Sequence, residues 1–141
     1  KLAECVVRFA DVAANPASPL AAPGVEEAGL IVPQATADGF VPGPISGWWP
    51  HGFNLRLLTL QTGAYVPRHS RREVEVIFVH SGTLEVSWDH GEILMGAGDT
   101  LTVPVGLPRA LRNTASVPCV AYVVRGGEDV ARPLFESGAA A

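Results

Sequence analysis

The sequence predicts an all-β domain, an antiparallel sandwich or barrel, and three observations carry that expectation. From Phe53 onward, short apolar or alternating runs recur at close spacing. Turn signals rich in Gly, Asp, Ser and Pro separate them. No stretch sustains the 3.6-residue period of an amphipathic helix. Many short strands at even spacing indicate a closed or sandwiched antiparallel sheet.

Taken in order, residues 1–50 read as an N-terminal strand followed by an arm, and 51–141 as the barrel domain, one structural domain in all. "CVVRFADV" is rich in β-branched residues, which predicts a strand within residues 1–12. The next segment holds Pro16, Pro19, Pro23, Pro33, Pro42, Pro44 and Pro50, seven of the twelve prolines. Regular helix and central strand are disfavoured there. It reads as an irregular arm that wraps the domain or reaches a partner, with "GLIVP" as a short edge strand. The strand candidates after it are "FNLRLLTLQ", "VEVIFVH", "TLEVSW", "EILM", "TLTV", "RALRN" and "CVAYVVR". "TG", "SG", "DHG", "GAGD", "PVG" and "ASVP" mark the turns.

The totals narrow the function classes. A chain of 141 residues, 48% of them hydrophobic, can bury a core without disulfide staples. A net charge of −4 argues against nucleic acid, which favours a basic face. No apolar run approaches the roughly 20 residues that span a membrane, and no signal-peptide pattern opens the chain. Cys5 and Cys119 lack metal-ligand spacing and suit a reducing cytosol as small apolar residues. The expectation is a soluble cytoplasmic protein. The chain starts on Lys1, so a longer parent protein stays open.

Two blocks of residues carry the chemistry. In the first, Gly63 is followed after five residues by His69, then Arg71, Glu75 and Gly82. In the second, Gly98 is followed after five residues by Pro104, then Gly106, Arg109 and Asn113. On an extended strand His69 and Arg71 share a face, and Glu75 returns to it from the next strand. The blocks resemble, in order and spacing, the two motifs of the cupin superfamily, G-x5-H-x-H-x(3,4)-E-x6-G and G-x5-P-x-G-x2-H-x3-N. The resemblance spans about 53–125 and implies a small jelly-roll β-barrel, often a homodimer. In metal-binding cupins three histidines and the glutamate hold the ion. Here His69 and Glu75 stand at metal-ligand positions, while Arg71 and Arg109 stand where the other two histidines belong.

That exchange changes the chemistry. Zinc, iron, manganese and nickel sites need lone pairs from imidazole, thiolate or carboxylate. Guanidinium offers none and stays protonated. No cofactor is expected; the alternative is one divalent metal, with His51 folding over the mouth as a further ligand. Arginine forks suit carboxylate and phosphate, so the expected partner is a small organic anion held by His69, Arg71, Glu75 and Arg109, with Trp48 or Trp49 as a lid. A second reading is structural, with Glu75 paired to an arginine as a plug. One glutamate cannot neutralise two arginines, which keeps the anion in play. An enzyme is the third reading, a cupin-type dioxygenase or isomerase with atypical ligands, or the non-catalytic half of a two-barrel protein. For acid–base work His69 is the candidate and Tyr65 a lesser one. His80 and His90 read as exposed turn residues, Trp88 as a core or dimer contact, and Asp99 and Asn113 as structural. Arg56 and Arg112 face in or out according to register.

Overall fold

A computed structural model describes residues 2–43 and 51–136. Ten strands are described: β1 (Val25–Ile31), β2 (Phe53–Leu60), β3 (Tyr65–Ser70), β4 (Glu75–Ser81), β5 (Leu84–Trp88), β6 (Gly91–Met95), β7 (Thr100–Val103), β8 (Arg109–Arg112), β9 (Cys119–Gly126) and β10 (Leu134–Phe135). They form two five-stranded sheets with orders β1-β2-β9-β4-β7 and β10-β3-β8-β5-β6. Every strand pairing is antiparallel. The architecture is the jelly-roll barrel that the sequence predicts.

Period-two patterning explains why these segments pair as they do. Along β9, Cys119, Ala121, Val123 and Arg125 point inward and are buried. On β2 the inward row is Asn54, Arg56, Leu58 and Leu60. On β4 it is Glu75, Ile77 and Val79. Leu58, Leu60, Ile77, Val79, Val86, Leu111, Ala121 and Val123 belong to one continuous apolar core. Each inward row switches from apolar to charged at the same end of the barrel. Asn54 and Arg56 open β2, Arg125 closes β9, Glu75 opens β4, His69 lies near the end of β3 and Arg109 opens β8. The fold therefore divides its own interior into a dry half and an ionic half.

The N-terminal region departs from the expectation. Residues 1–12 do not hold a strand among the described residues; Leu2–Cys5 and Phe9–Asp11 are 3-10 turns. Their β-branched residues serve packing instead. Val7 and Val12 lie with Leu55, Val120 and Tyr122 against Ala28, Leu30 and Leu57, on the outer face of the first sheet. The "GLIVP" strand is longer than expected and starts at Val25. Among the described residues it is an edge strand, paired only to β2. No helix among the described residues is long and apolar enough to cross a membrane.

Candidate functional site

The motif glycines set up the site. Gly63, Gly82, Gly98 and Gly106 all have φ between 77° and 89°, a region that β-carbons penalise. At Gly82 the constraint is also steric. A β-carbon there would sit 2.3 Å from the Pro118 carbonyl oxygen. Of these turns, those at Gly63 and Gly106 lead into β3 and β8, which carry His69 and Arg109.

Register then brings the side chains together. Glu75 lies directly opposite Arg125 in one sheet, and His69 lies opposite Arg109 in the other. The β3–β8 register shifts between Val66 and His69. That irregularity lets both residues point inward although they are three apart. Arg71 follows just after β3 and is also buried. His69, Arg71, Glu75 and Arg109, all expected at the site, are thus in one place.

The cluster is larger than the motif. Glu75 accepts from Arg109 Nη2 at 2.7 Å through Oε1 and from Arg125 Nε at 2.7 Å through Oε2. Arg125 Nη1 donates to Glu27 Oε2 at 2.7 Å. Ser18 Oγ donates to the other Glu27 oxygen at 2.6 Å, and Arg56 Nη1 lies 4.0 Å from it. Arg56 in turn donates to both oxygens of Asp38, at 2.6 and 3.3 Å, and to Asn54 Oδ1 at 3.1 Å. Phe40 stacks under the Arg56 guanidinium, 3.8 Å from ring centre to Cζ. Ser18, Asp38 and Phe40 come from the arm, so the arm completes the ionic half of the interior.

Four arginines, Arg56, Arg71, Arg109 and Arg125, meet three carboxylates, Glu27, Asp38 and Glu75, and all seven residues are at most 2% exposed. Among the described residues one positive charge of this cluster is left over, and geometry assigns it to Arg71. Its Nε approaches Glu75 Oε2 only to 3.4 Å, and none of its three guanidinium nitrogens has a hydrogen-bond acceptor among the described residues. Buried polar groups are nearly always satisfied, and charged ones all the more so. Burial, followed by the field of Arg125, lowers the Arg71 pKa to about 10. Arg71 remains a cation at neutral pH. Burial would raise the Glu75 pKa, but Arg125, Arg109 and Arg71 outweigh it and hold the carboxyl well below its usual range. Burial likewise opposes the charge on Arg125, and Glu27 and Glu75 outweigh it and keep its pKa above the ordinary value.

His69 is neutral. Its Nδ1 is 2.8 Å from the Pro67 carbonyl oxygen, which only accepts, so Nδ1 carries the hydrogen and Nε2 the lone pair. Burial is the main force lowering its pKa to about 4, with Arg109 and Arg71 adding to it. Phe135 of β10 tilts against the ring at 5.5 Å between centroids.

For a divalent ion this donor set fits poorly. His69 offers one lone pair, and both Glu75 oxygens already accept from arginines. His51 stands edge-on to Phe53, and no group of three or more His, Cys, Asp or Glu side chains suited to a metal occurs among the described residues. The Arg71 and Arg109 guanidinium groups lie against Glu75 and would repel a cation. Trp48 and Trp49 lie outside the described residues. Asn113 makes local bonds, donating to Leu60 and Val117 carbonyls at 3.0 and 2.8 Å. Asp99 accepts from the Gly96 amide at 2.8 Å. Tyr65 stacks on Arg112, whose side chain is exposed. His80 is exposed near the end of β4 and His90 in a turn.

Arg125, Glu27 and Asp38 were not among the site residues that the motifs single out. Arg125 had a signal, because it continues the inward parity of Cys119, Ala121 and Val123. Glu27 and Asp38 had none, lying in the arm up to 98 residues from their partners.

Comparison with known proteins agrees with the fold. Residues 56–125 match the family model of the cupin domain, which together with the barrel supports the cupin superfamily for this chain. Among solved structures, the chain is similar to the polyketide cyclase RemF from Streptomyces resistomycificus, with 20% identity, a TM-score of 0.73, and coverage of 95% of this chain and 87% of that one. It is similar to the DMSP lyase DddQ from Ruegeria pomeroyi, with 26% identity, a TM-score of 0.58, and coverage of 66% and 46%. A sugar phosphate isomerase from Silicibacter pomeroyi shows 21% identity, a TM-score of 0.62, and coverage of 86% and 74%. Among curated proteins none matches the chain.

Proposed function

We propose that this barrel binds a small organic anion in its ionic half, in place of the metal of metal-binding cupins. The observation that carries the reading is Arg71, a fully buried cation whose three guanidinium nitrogens lack acceptors among the described residues. A carboxylate is the natural complement of such a planar fork. The ion pairs around it are the rest of the apparatus. Glu75 fixes Arg109 and Arg125, and Glu27 and Asp38 fix Arg125 and Arg56, so these three arginines have close carboxylate partners and the surplus charge falls to Arg71. The structural plug of the second reading is part of the same machinery. The similar structures are a cyclase, a lyase and an isomerase, which share no single reaction, and fold does not fix chemistry.

Thermal unfolding against a panel of formate, acetate and inorganic phosphate tests the proposal, alongside elemental analysis of protein purified without chelator. The expected result is a concentration-dependent rise in Tm with carboxylates, absent in Arg71→Met, and no stoichiometric metal. About one equivalent of zinc, iron, manganese or nickel, lost on His69→Ala, would overturn the reading in favour of a metal-dependent enzyme.

A further inference from the structure

A second feature lies against the same arginines. A cavity of about 150 Å3 is lined by Val86 and Trp88 of β5, Ile93 of β6, Leu101 of β7, Leu107 and Arg109. β6 and β7 are the edge strands of their two sheets, so the cavity lies at the seam where the sheet edges approach each other. Ile93 and Leu107, 38% and 36% exposed, form its solvent rim. Its lining residues are apolar except for Thr102 and Arg109, the charged member.

Arg109 joins this cavity to the ionic cluster. Its Nη2 is held by Glu75 at 2.7 Å and its Nη1 by the Leu107 carbonyl at 3.0 Å, while its Nε is buried without an acceptor. Arg71 and Arg109 both converge on the Glu75 carboxylate. Arg109 bounds the apolar chamber, and behind it, across the shared Glu75 carboxylate, lies Arg71; both guanidinium groups have donors without acceptors among the described residues. Space on the order of 150 Å3 takes one benzene-sized group. The charge count sets the head group. Among the described residues, four buried arginines against three buried carboxylates leave a surplus of one, which a monoanion cancels and a phosphate dianion overshoots.

Resting on the anion-binding reading above, we infer that the ligand is a small monocarboxylic acid with a compact apolar body, aryl or branched aliphatic. The body occupies the seam cavity and the carboxylate meets Arg109 and Arg71. Neutral aromatics leave the surplus charge in place, and short acids leave the chamber unfilled.

Calorimetric titration and Tm shifts with benzoate, acetate, benzyl alcohol and inorganic phosphate separate the possibilities. Benzoate is expected to bind at least about tenfold more tightly than acetate, from burial of its ring, and benzyl alcohol to give no response. Ile93→Trp, which fills the cavity from its rim on an edge strand, is expected to remove the advantage of benzoate over acetate. Equal response to acetate and benzoate would overturn the seam cavity as the body site and leave the anion reading intact. Phosphate binding better than benzoate would overturn the monoanion assignment. Benzyl alcohol binding as well as benzoate would overturn the link between cavity and arginines. No response to any probe would sink both readings.

Discussion

Replacing Arg71 by methionine is expected to make the ligand-free protein more stable, although it deletes a buried ion-pair partner. Methionine keeps much of the apolar stem and removes the charge. Burial with too little compensation lowers the Arg71 pKa from 12.5 to about 10. At about 1.4 kcal/mol for each tenfold change in proton affinity, keeping that charge inside costs roughly 3 kcal/mol. The 3.4 Å contact with Glu75 is already included in that net figure. Glu75 retains its 2.7 Å bonds to Arg109 and Arg125, so it is not left bare. Burying the new thioether loses a little in shape fit, which puts the expected net gain at about 1–3 kcal/mol. For a chain of this size that is a rise of several degrees in Tm. The assay is urea unfolding at pH 7.5 in low salt, with and without 50 mM acetate. Wild type is expected to gain stability with acetate and the variant to gain none. A ligand-free variant less stable than wild type by 1 kcal/mol or more would refute the reasoning, because Arg71 would then be satisfied in the fold.

The remaining expectations concern the groups around it. Glu75→Gln removes the one charge shared by Arg71, Arg109 and Arg125; a loss of about 3–5 kcal/mol is expected in chemical unfolding, partly restored in the double variant with Arg71→Met. His69 is held neutral with a pKa near 4, while the unfolded chain binds a proton near 6.5. The unfolded state therefore takes up protons first, so stability is full above pH 6.5 and falls as pH drops from 6.5 toward 4, by about 2 kcal/mol at pH 5. Stability measured from pH 7.5 to 4.5 should show that slope in wild type and lose it in His69→Gln. Below the usual carboxylate range Glu75 adds a further loss in the same direction. Gly82→Ala combines φ of 77° with a clash against the Pro118 carbonyl and is expected to cost about 2 kcal/mol or more, read as a lower urea midpoint with an unchanged slope.

Strand positions from Phe53 onward were largely legible, because period-two alternation and turn residues are local signals. The inward placement of His69, Arg71, Glu75 and Arg109 followed from motif spacing, even though the β3 bulge that permits it is invisible to parity. Arg56 can face in or out on sequence alone because a one-residue register choice decides it; Phe40 and Asp38 close over it and make it interior. The residues 1–12 misled, since β-branched content reports packing surface as much as strand. Charge balance is the least legible feature. Glu75 against Arg71 and Arg109 also leaves an excess of one, but the cluster that forms rests on tertiary pairings between the arm and β2 and β9 that no local pattern encodes.

The ionic half of the barrel also has a bearing on how the chain finds its fold. Arg125 and Glu27 are 98 positions apart and Arg109 and Glu75 are 34, so these bonds form only after distant segments have met, which slows folding. Their worth is in discrimination. If β9 slid by one residue against β4, Arg125 would rotate to the solvent face and Glu75 would face the interior with one cation fewer. An apolar row forgives such a slip between valines, as the run Val123–Val124 shows. A buried carboxylate does not. The charged end thus penalises a misaligned strand, because Asp38 and Ser18 of the arm reach Arg56 and Glu27 only when the strands beneath them are in register.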